Sequence, residues 1–150
     1  KADIWREERK KAFEAIDWDR KLEIIAGDID KKAVEAAREN AVEAGVAEDI
    51  SFRVGDASGF SAGNREGGII ITNPPYGQRI GDRQSMDKLY EGFASFLRKN
   101  PTWSMFAITA DKSAEQKIFG RPADRRRKLF KGRMEVCYYQ YHGQKPAERE

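Results

Sequence analysis

Apolar and polar positions along the chain predict strands and helices in alternation. Helical periodicity or helix-ending residues mark about residues 3–16, 31–44, 85–99 and 113–119, whereas short apolar or alternating runs mark strands at residues 22–26, 50–54, 68–72, 103–109 and 134–141. Asp30 and Gly45 bracket the second helix as residue types that cap and end helices. This order of elements is typical of an α/β fold with a mostly parallel sheet and helical crossovers.

The last predicted strand follows a turn signal. Lys131 and Gly132 separate two extended runs, which indicates a tight hairpin turn. The chain has 150 residues, a length that suits one domain, and neither a repeat nor a boundary interrupts it. We therefore expect a single domain over residues 1–150.

The most specific stretch comes directly after the apolar run 68–72. Pro74 and Pro75 have no N–H group for a ladder hydrogen bond, so the strand has to end near Asn73. The expected result is a polar amide, a free carbonyl and the ring of Tyr76 at the carboxyl-terminal edge of a sheet. Open α/β sheets bind their ligands at that edge.

These residues fit chemistry on an exocyclic amine. The lone pair of such a nitrogen is delocalised into its base, and two fixed acceptors, the Asn73 side-chain oxygen and the Pro74 carbonyl, would favour the pyramidal form that attacks a methyl donor. Pro75 would help to fix those acceptors, and Tyr76 would stack on a base that has left its helix or loop. The alternative is a Pro-Pro turn that only ends a strand.

Acidic residues also follow the first two strands. Asp28 could hold the hydroxyls of a ribose, and Asp56 could accept from an exocyclic amine while the Ala57 N–H meets a ring nitrogen. Together these contacts describe an adenosine pocket. Taken singly, an aspartate at a strand end is more often a helix cap or a turn former, and that interpretation suits Asp30 best.

Charge and cysteine content limit the partners. The formal net charge is +3 and the isoelectric point is about 9.0, which is compatible with a nucleic-acid partner. Arg79 and a basic tetrad could bind phosphate, although the tetrad could equally be a solvated loop. The tetrad consists of Arg125, Arg126, Arg127 and Lys128. Cys137 is the single cysteine, so the chain forms no internal disulfide and no thiolate zinc cluster, and a reducing cytosol is expected.

The sequence resembles a family of methyltransferases. The Asn-Pro-Pro-Tyr motif at residues 73–76 is similar to the motif of class I enzymes that transfer methyl groups from S-adenosylmethionine to amino groups. Further similarity at residues 27–30, 37–40, 73–80, 101–104, 127–132 and 139–141 extends over nearly the whole chain. It resembles the catalytic domain of the THUMP-containing bacterial 23S rRNA guanine-N2 methyltransferases, formerly labelled N6-adenine-specific DNA methylases.

That resemblance implies a fold and residue roles. The fold would be a Rossmann-like, mainly parallel sheet whose last strand enters antiparallel, and the hairpin turn at Gly132 agrees with such an ending. Asp28, with Ile29 beside it, would hold the cofactor ribose, and Asp56 and Ala57 would hold the adenine. The target base would contact Asn73, Pro74 and Tyr76, and Asn73 would also border the cofactor. The implied partner is ribosomal RNA, with neither a metal ion nor a membrane, in the cytoplasm.

One feature of the family has no match in the sequence. Its glycine-rich loop, of the form Asp-Pro-x-Cys-Gly-Ser-Gly-Thr after the first strand, is missing, and so is the THUMP domain. The resemblance therefore implies the C-terminal part of a catalytic domain without its first strand. We expect the loop and a THUMP domain to belong to the same polypeptide.

Other functions fit the same residues. An N6-adenine-specific DNA methyltransferase would need the same motif, because adenine also offers an exocyclic amine. A non-catalytic nucleic-acid-binding module would use the arginines and the aromatic ring alone. A methyltransferase for small molecules or for protein glutamine is a further alternative, since an amide can occupy the same acceptors.

Overall fold

The computed structural model describes residues 2–75 and 82–145. Its helices are α1 (Ala2–Glu14), α2 (Lys31–Glu43) and α3 (Asp82–Lys99), and its strands are β1 (Ile24–Asp28), β2 (Ile50–Val54), β3 (Ile69–Thr72), β4 (Ser104–Thr109), β5 (Arg125–Lys131) and β6 (Met134–Tyr141). Shorter helical segments are Ala47–Asp49, Ala57–Gly59 and Glu115–Phe119. The chain divides into two compact units, Lys1–Gly55 and Asp56–Glu150.

The first unit contains a strand–helix–strand crossover. β1 and β2 pair in parallel, with Asp28 opposite Val54 at the end of the ladder. Asp30 caps α2, because its Oδ1 accepts a 2.8 Å hydrogen bond from the Lys32 N–H. Gly45 follows the helix with a φ of 72°, which suits glycine. The predicted helix boundaries and the parallel pairing are confirmed.

Helix α1 forms where the periodicity predicts it, but it buries no residue within its unit. Trp5 and Phe13 are more than 60% exposed. The stripe of apolar residues is present, yet the two-stranded sheet of this unit is packed by α2. Ion pairs one turn apart, such as Lys11 with Glu7 at 3.2 Å, contribute only a few tenths of a kcal/mol each.

The second unit contains a mixed sheet with strand order β3-β4-β6-β5. β3 and β4 are parallel, whereas β6 runs antiparallel to both β4 and β5. Gly132 has a φ of 61° in the turn between β5 and β6, so the predicted hairpin is confirmed. The predicted antiparallel ending of the sheet is therefore confirmed as well.

Helix α3 covers one face of this sheet. Its apolar residues Met86, Tyr90 and Phe93 form a core with Met105 and Ala107 of β4. The sequence predicts a buried strand at residues 68–72, and this expectation is wrong for one face. Ile69 and Ile71 are 63% and 79% exposed, because they lie on the face of β3 opposite Ile70, and Ile70 is the residue that packs against the core with α3.

Buried tyrosines give the second unit a sensitivity to alkaline pH. The side chain of Tyr90 is fully buried, and its hydroxyl, which lies near Thr109 and Asp111, has no well-formed hydrogen bond among the described residues. Burial raises the pKa of Tyr90 to about 12 and that of Tyr139 to about 12, and it also raises the pKa of Tyr141. Because the folded state holds these protons more tightly, their contribution to stability is complete below pH 10 and is lost as the pH rises toward 12.

We therefore expect the free energy of unfolding to fall between pH 10 and pH 12, by about 2 kcal/mol from Tyr90 alone. Urea unfolding at a series of pH values measures this loss. Tyr90→Phe is the control: it should be as stable as the parent at pH 8, since an unpaired hydroxyl is removed, and it should lose less stability in alkali. An equal loss in both proteins would show that Tyr90 does not contribute.

Candidate active site

The parallel pair β3 and β4 brings two polar segments to one edge of the sheet. Thr72 lies opposite Ala107, so Asn73 follows the end of β3 at the edge where β4 ends with Thr109. No strand residue follows Thr72 before the two prolines, which confirms the predicted strand end. A ligand at this edge would meet residues from both strand ends.

Asn73 is exposed, and its side chain forms no hydrogen bond with any other described residue. Pro74 is buried and Pro75 is exposed. A buried proline next to a free amide holds that amide on a stiff support, because φ of the proline is fixed. Tyr76 and Arg79 lie outside the described residues, so the stacking and phosphate contacts expected of them stay predictions.

A carboxylate, Asp111, lies two residues beyond the end of the neighbouring strand β4. Its Oδ1 accepts hydrogen bonds from the N–H and the hydroxyl of Ser113, at 2.8 and 2.6 Å, and its N–H donates to Thr109 Oγ1. Burial by itself would raise the pKa of Asp111, but the bonds from Ser113 hold it below the usual value. The sequence prediction missed this residue, although Asp followed two positions later by Ser is a signal for an Asx turn.

Asp56 directly precedes a short helical turn that packs against α3. Its Oδ1 accepts a 2.8 Å bond from the Ser58 N–H, and its Oδ2 lies 3.4 Å from Lys88 Nζ. The bond from the Ser58 backbone is the main reason why the pKa of Asp56 is lowered. Asp56 therefore caps the segment Ala57–Gly59, which is the structural role weighed against adenine binding. The adenine contacts of Asp56 and Ala57 stay predictions.

Gly92 allows α3 to approach that turn closely. A Cβ atom at Gly92 would lie 2.6 Å from both Cα and the carbonyl oxygen of Ser58, far inside van der Waals contact. Only glycine fits there without a shift of backbone. An isolated glycine inside a helical pattern was the available signal, and the sequence prediction did not use it.

Asp28 is the last residue of β1 and is exposed. Its Oδ1 accepts a 2.9 Å bond from the Asp30 N–H, while no hydrogen bond involves its Oδ2 within the described residues. Ile29 next to it is 73% exposed. Asp28 belongs to the first unit and Asn73 to the second, so their meeting in one site stays a prediction.

The basic tetrad, residues 125–128, lies in strand β5. The sequence analysis placed it just before the hairpin turn, with a solvated loop as the alternative. The loop is wrong, because these residues pair with β6 from Arg125 onward. The pairing alternates their side chains between two faces of the sheet. Two of them form ion pairs: Arg126 Nη1 lies 3.5 Å from Glu115 Oε2, and Lys128 Nζ lies 2.6 Å from Glu135 Oε2.

Within residues 2–75 and 82–145, no group of three or more histidine, cysteine, aspartate or glutamate residues could hold a metal ion. Every helix in the same ranges is too short or too polar to span a membrane.

Comparison with other proteins identifies the family. The family model described as UPF0020, RMKL-like methyltransferase domain, matches residues 2–140. YpsC of Bacillus subtilis (strain 168), named as an RNA methyltransferase, is 35% identical over 148 residues, which are 99% of this chain and 38% of that protein. The ribosomal RNA large subunit methyltransferase K/L of Shewanella baltica (strain OS195) is 32% identical over 142 residues, 92% of this chain and 20% of that protein.

Two further relatives add detail. A tRNA (guanine(6)-N2)-methyltransferase of Methanocaldococcus jannaschii is 38% identical over 96 residues, which are 64% of this chain and 25% of that protein. The crystal structure of SMU.472, described as a methyltransferase complexed with SAH, has a TM-score of 0.80 and 38% identity, and the match covers 93% of this chain and 36% of that one. The chain thus spans less than two fifths of the length of these relatives.

These matches confirm the predicted α/β methyltransferase fold and the predicted use of S-adenosylmethionine in this family. They also agree with the resemblance drawn from the Asn-Pro-Pro-Tyr motif. Because the family model matches almost the whole sequence, the chain belongs to the family of RMKL-like methyltransferase domains.

Proposed function

We propose that the chain is part of an enzyme that transfers a methyl group from S-adenosylmethionine to guanine N2 of 23S ribosomal RNA in the cytoplasm. The observation that supports this proposal most is the exposed amide of Asn73, which has no partner among the described residues and follows β3 directly, on the buried Pro74. An amide in that position is available to an incoming amino group. The names of the K/L enzyme and of the tRNA guanine-N2 enzyme support RNA and guanine as the substrate.

The acceptor atoms present fit the ribose of the cofactor. The Asp28 Oδ2 is free among the described residues and exposed, and a carboxylate oxygen is a suitable acceptor for ribose hydroxyls. Asp56 has both oxygens engaged, so it would act mainly by fixing the turn that carries Ala57. When bound, S-adenosylmethionine supplies the methyl group as an electrophile.

The residues of this chain would then prepare the amine. Asn73 Oδ1 and the Pro74 carbonyl each accept one N–H of the exocyclic amino group, which withdraws the lone pair from the ring and directs it outward. The nitrogen would then be placed to take the methyl group that the cofactor would supply, with the sulfur keeping the electron pair of the broken carbon–sulfur bond. The methylated nitrogen loses its extra proton to water afterwards. Tyr76 would stack on the base, and Arg79 would hold a phosphate.

A DNA methyltransferase acting on adenine N6 is the second candidate, because its substrate offers the same kind of amine. Methylation of 23S rRNA transcripts and of duplex DNA by the full-length protein, measured with radiolabelled S-adenosylmethionine, separates the two. We expect transfer to the RNA alone. Transfer to duplex DNA alone would establish the second candidate.

The missing glycine-rich loop leads to a prediction about cofactor affinity. That loop approaches the methionine part of the cofactor in the resembling family, and we infer that it belongs, with a THUMP domain, to the same polypeptide. We therefore expect the 150-residue chain alone to bind S-adenosylmethionine weakly or not at all in isothermal titration. Tight, stoichiometric binding by this chain would refute the expectation, and the full-length protein serves as the positive control.

A further inference from the structure

Strand β5 divides the basic tetrad into two pairs. Side chains of a strand alternate between the faces of a sheet, so Arg125 and Arg127 share one face and Arg126 and Lys128 share the other. The second face is the one that meets the short helix Glu115–Phe119, since Arg126 reaches Glu115. The four cations therefore do not form one patch.

The charges of Arg126 and Lys128 are already matched. Arg126 pairs with Glu115, whose side chain is only 19% exposed, and Lys128 pairs with Glu135 across the hairpin. The hydrogen bond from Lys128 holds the pKa of Glu135 below its usual value. A cation with a fixed carboxylate partner is a poor phosphate ligand, because the carboxylate repels the phosphate.

Arg125 and Arg127 are in a different situation. Both are exposed, and no carboxylate within residues 2–75 and 82–145 pairs with them. They lie opposite the uncharged residues Gln140 and Tyr138 of β6. The Tyr138 ring stacks on Phe106 of β4, with 6.3 Å between ring centroids, so the surface beside Arg127 is an aromatic one.

The spacing of this pair suits an extended polyanion. Residues two apart on a strand are separated by about 7 Å, and each guanidinium can bind a phosphate through two parallel hydrogen bonds. Arginine is also the residue that best combines phosphate binding with contact to aromatic rings and bases. An exposed pair of unmatched guanidiniums next to an aromatic surface is complementary to the backbone of a nucleic acid.

We propose that Arg125 and Arg127 bind phosphates of the RNA substrate, whereas Arg126 and Lys128 hold the hairpin in place and contact no RNA. This assignment rests on the proposed RNA substrate and replaces the undivided tetrad by one binding pair. The partner is the RNA backbone, so the pair contributes to affinity and orientation rather than to recognition of sequence.

The two pairs provide their own matched control. R125Q/R127Q and R126Q/K128Q in the full-length protein each remove two positive charges from the same strand. Binding of a 23S rRNA transcript is measured over a range of salt concentrations. For R125Q/R127Q we expect at least about tenfold weaker binding at low salt and a slope of log affinity against log salt that is smaller by about 1.4, which corresponds to two lost contacts at 0.7 each. R126Q/K128Q should bind within about threefold of the parent with an unchanged slope.

Each outcome has a definite meaning. Equal losses in the two variants would overturn the assignment, because they would report net charge alone, and a larger loss in R126Q/K128Q would reverse it. A parent protein that binds and methylates duplex DNA but not RNA would contradict the proposed function instead. R125K/R127K retains both charges, so it should recover most of the affinity for RNA if phosphate contact causes the loss. If R125Q/R127Q unfolds, R125K/R127K is the variant on which the assignment is judged.

Discussion

Replacing Asn73 with alanine is expected to lower the rate of methyl transfer by about 100-fold or more while leaving cofactor affinity within about twofold. The Asn73 amide is exposed and without a partner among the described residues, so its loss removes no contact of the fold. It removes an acceptor that would act on the amine as the nitrogen becomes pyramidal, and an interaction of that kind affects kcat rather than binding.

The measurement is single-turnover methylation of the RNA transcript by the full-length protein, together with titration of S-adenosylmethionine. Asn64→Ala is the matched control, because Asn64 is another exposed asparagine of the same unit, and it should leave the rate unchanged. N73D should retain much of the activity, since a carboxylate keeps the acceptor oxygen. A rate for N73A within threefold of the parent would exclude the acceptor role and favour a module that only binds.

Replacing Gly92 with alanine is expected to destabilise the second unit by about 2 kcal/mol. In an unobstructed helix the same change stabilises by about 1 kcal/mol, because alanine is the better helix former. At Gly92 the added Cβ would lie 2.6 Å from backbone atoms of Ser58, so α3 or the turn Ala57–Gly59 has to move. The predicted sign is therefore opposite to the one that helix propensity gives.

Urea unfolding of the parent and of G92A tests this sign. Gly59 is the control, because it lies on the other side of the same contact and a Cβ added there meets no atom within 4 Å. G59A should change the stability by less than about 0.5 kcal/mol. If the turn holds the cofactor adenine, G92A in the full-length protein should also bind S-adenosylmethionine more weakly. An increase in stability for G92A would show that α3 and the turn are not in close contact.

Features with local causes could be predicted from the sequence. Two consecutive prolines remove two N–H groups from the strand ladder, so the end of β3 was predictable from Pro74 and Pro75. The boundaries of α2 follow from Asp30 and Gly45, and the hairpin follows from Gly132. The Asn-Pro-Pro-Tyr motif belongs to this class, since its meaning depends on residues adjacent in the chain.

Features set by tertiary packing could not be predicted in the same way. The exposure of Ile71 depends on which face of β3 is covered by α3, and the approach of Gly92 to Ser58 joins residues more than thirty positions apart. The division of the basic tetrad requires the register of β5 against β6, which decides that Arg126 reaches Glu115. A run of four cations in the sequence carries no information about which of them already has a partner.

The proposed role of Asn73 is to present an exocyclic amine of RNA, guanine N2, for methylation. Its most direct test is to incubate the full-length protein with S-adenosylmethionine and a 23S rRNA transcript, digest the RNA to nucleosides, and identify the methylated product by mass spectrometry. We predict N2-methylguanosine with the parent protein and almost none with N73A. Methyl groups found only on adenine N6, or equal yields from the parent and N73A, would contradict the claim.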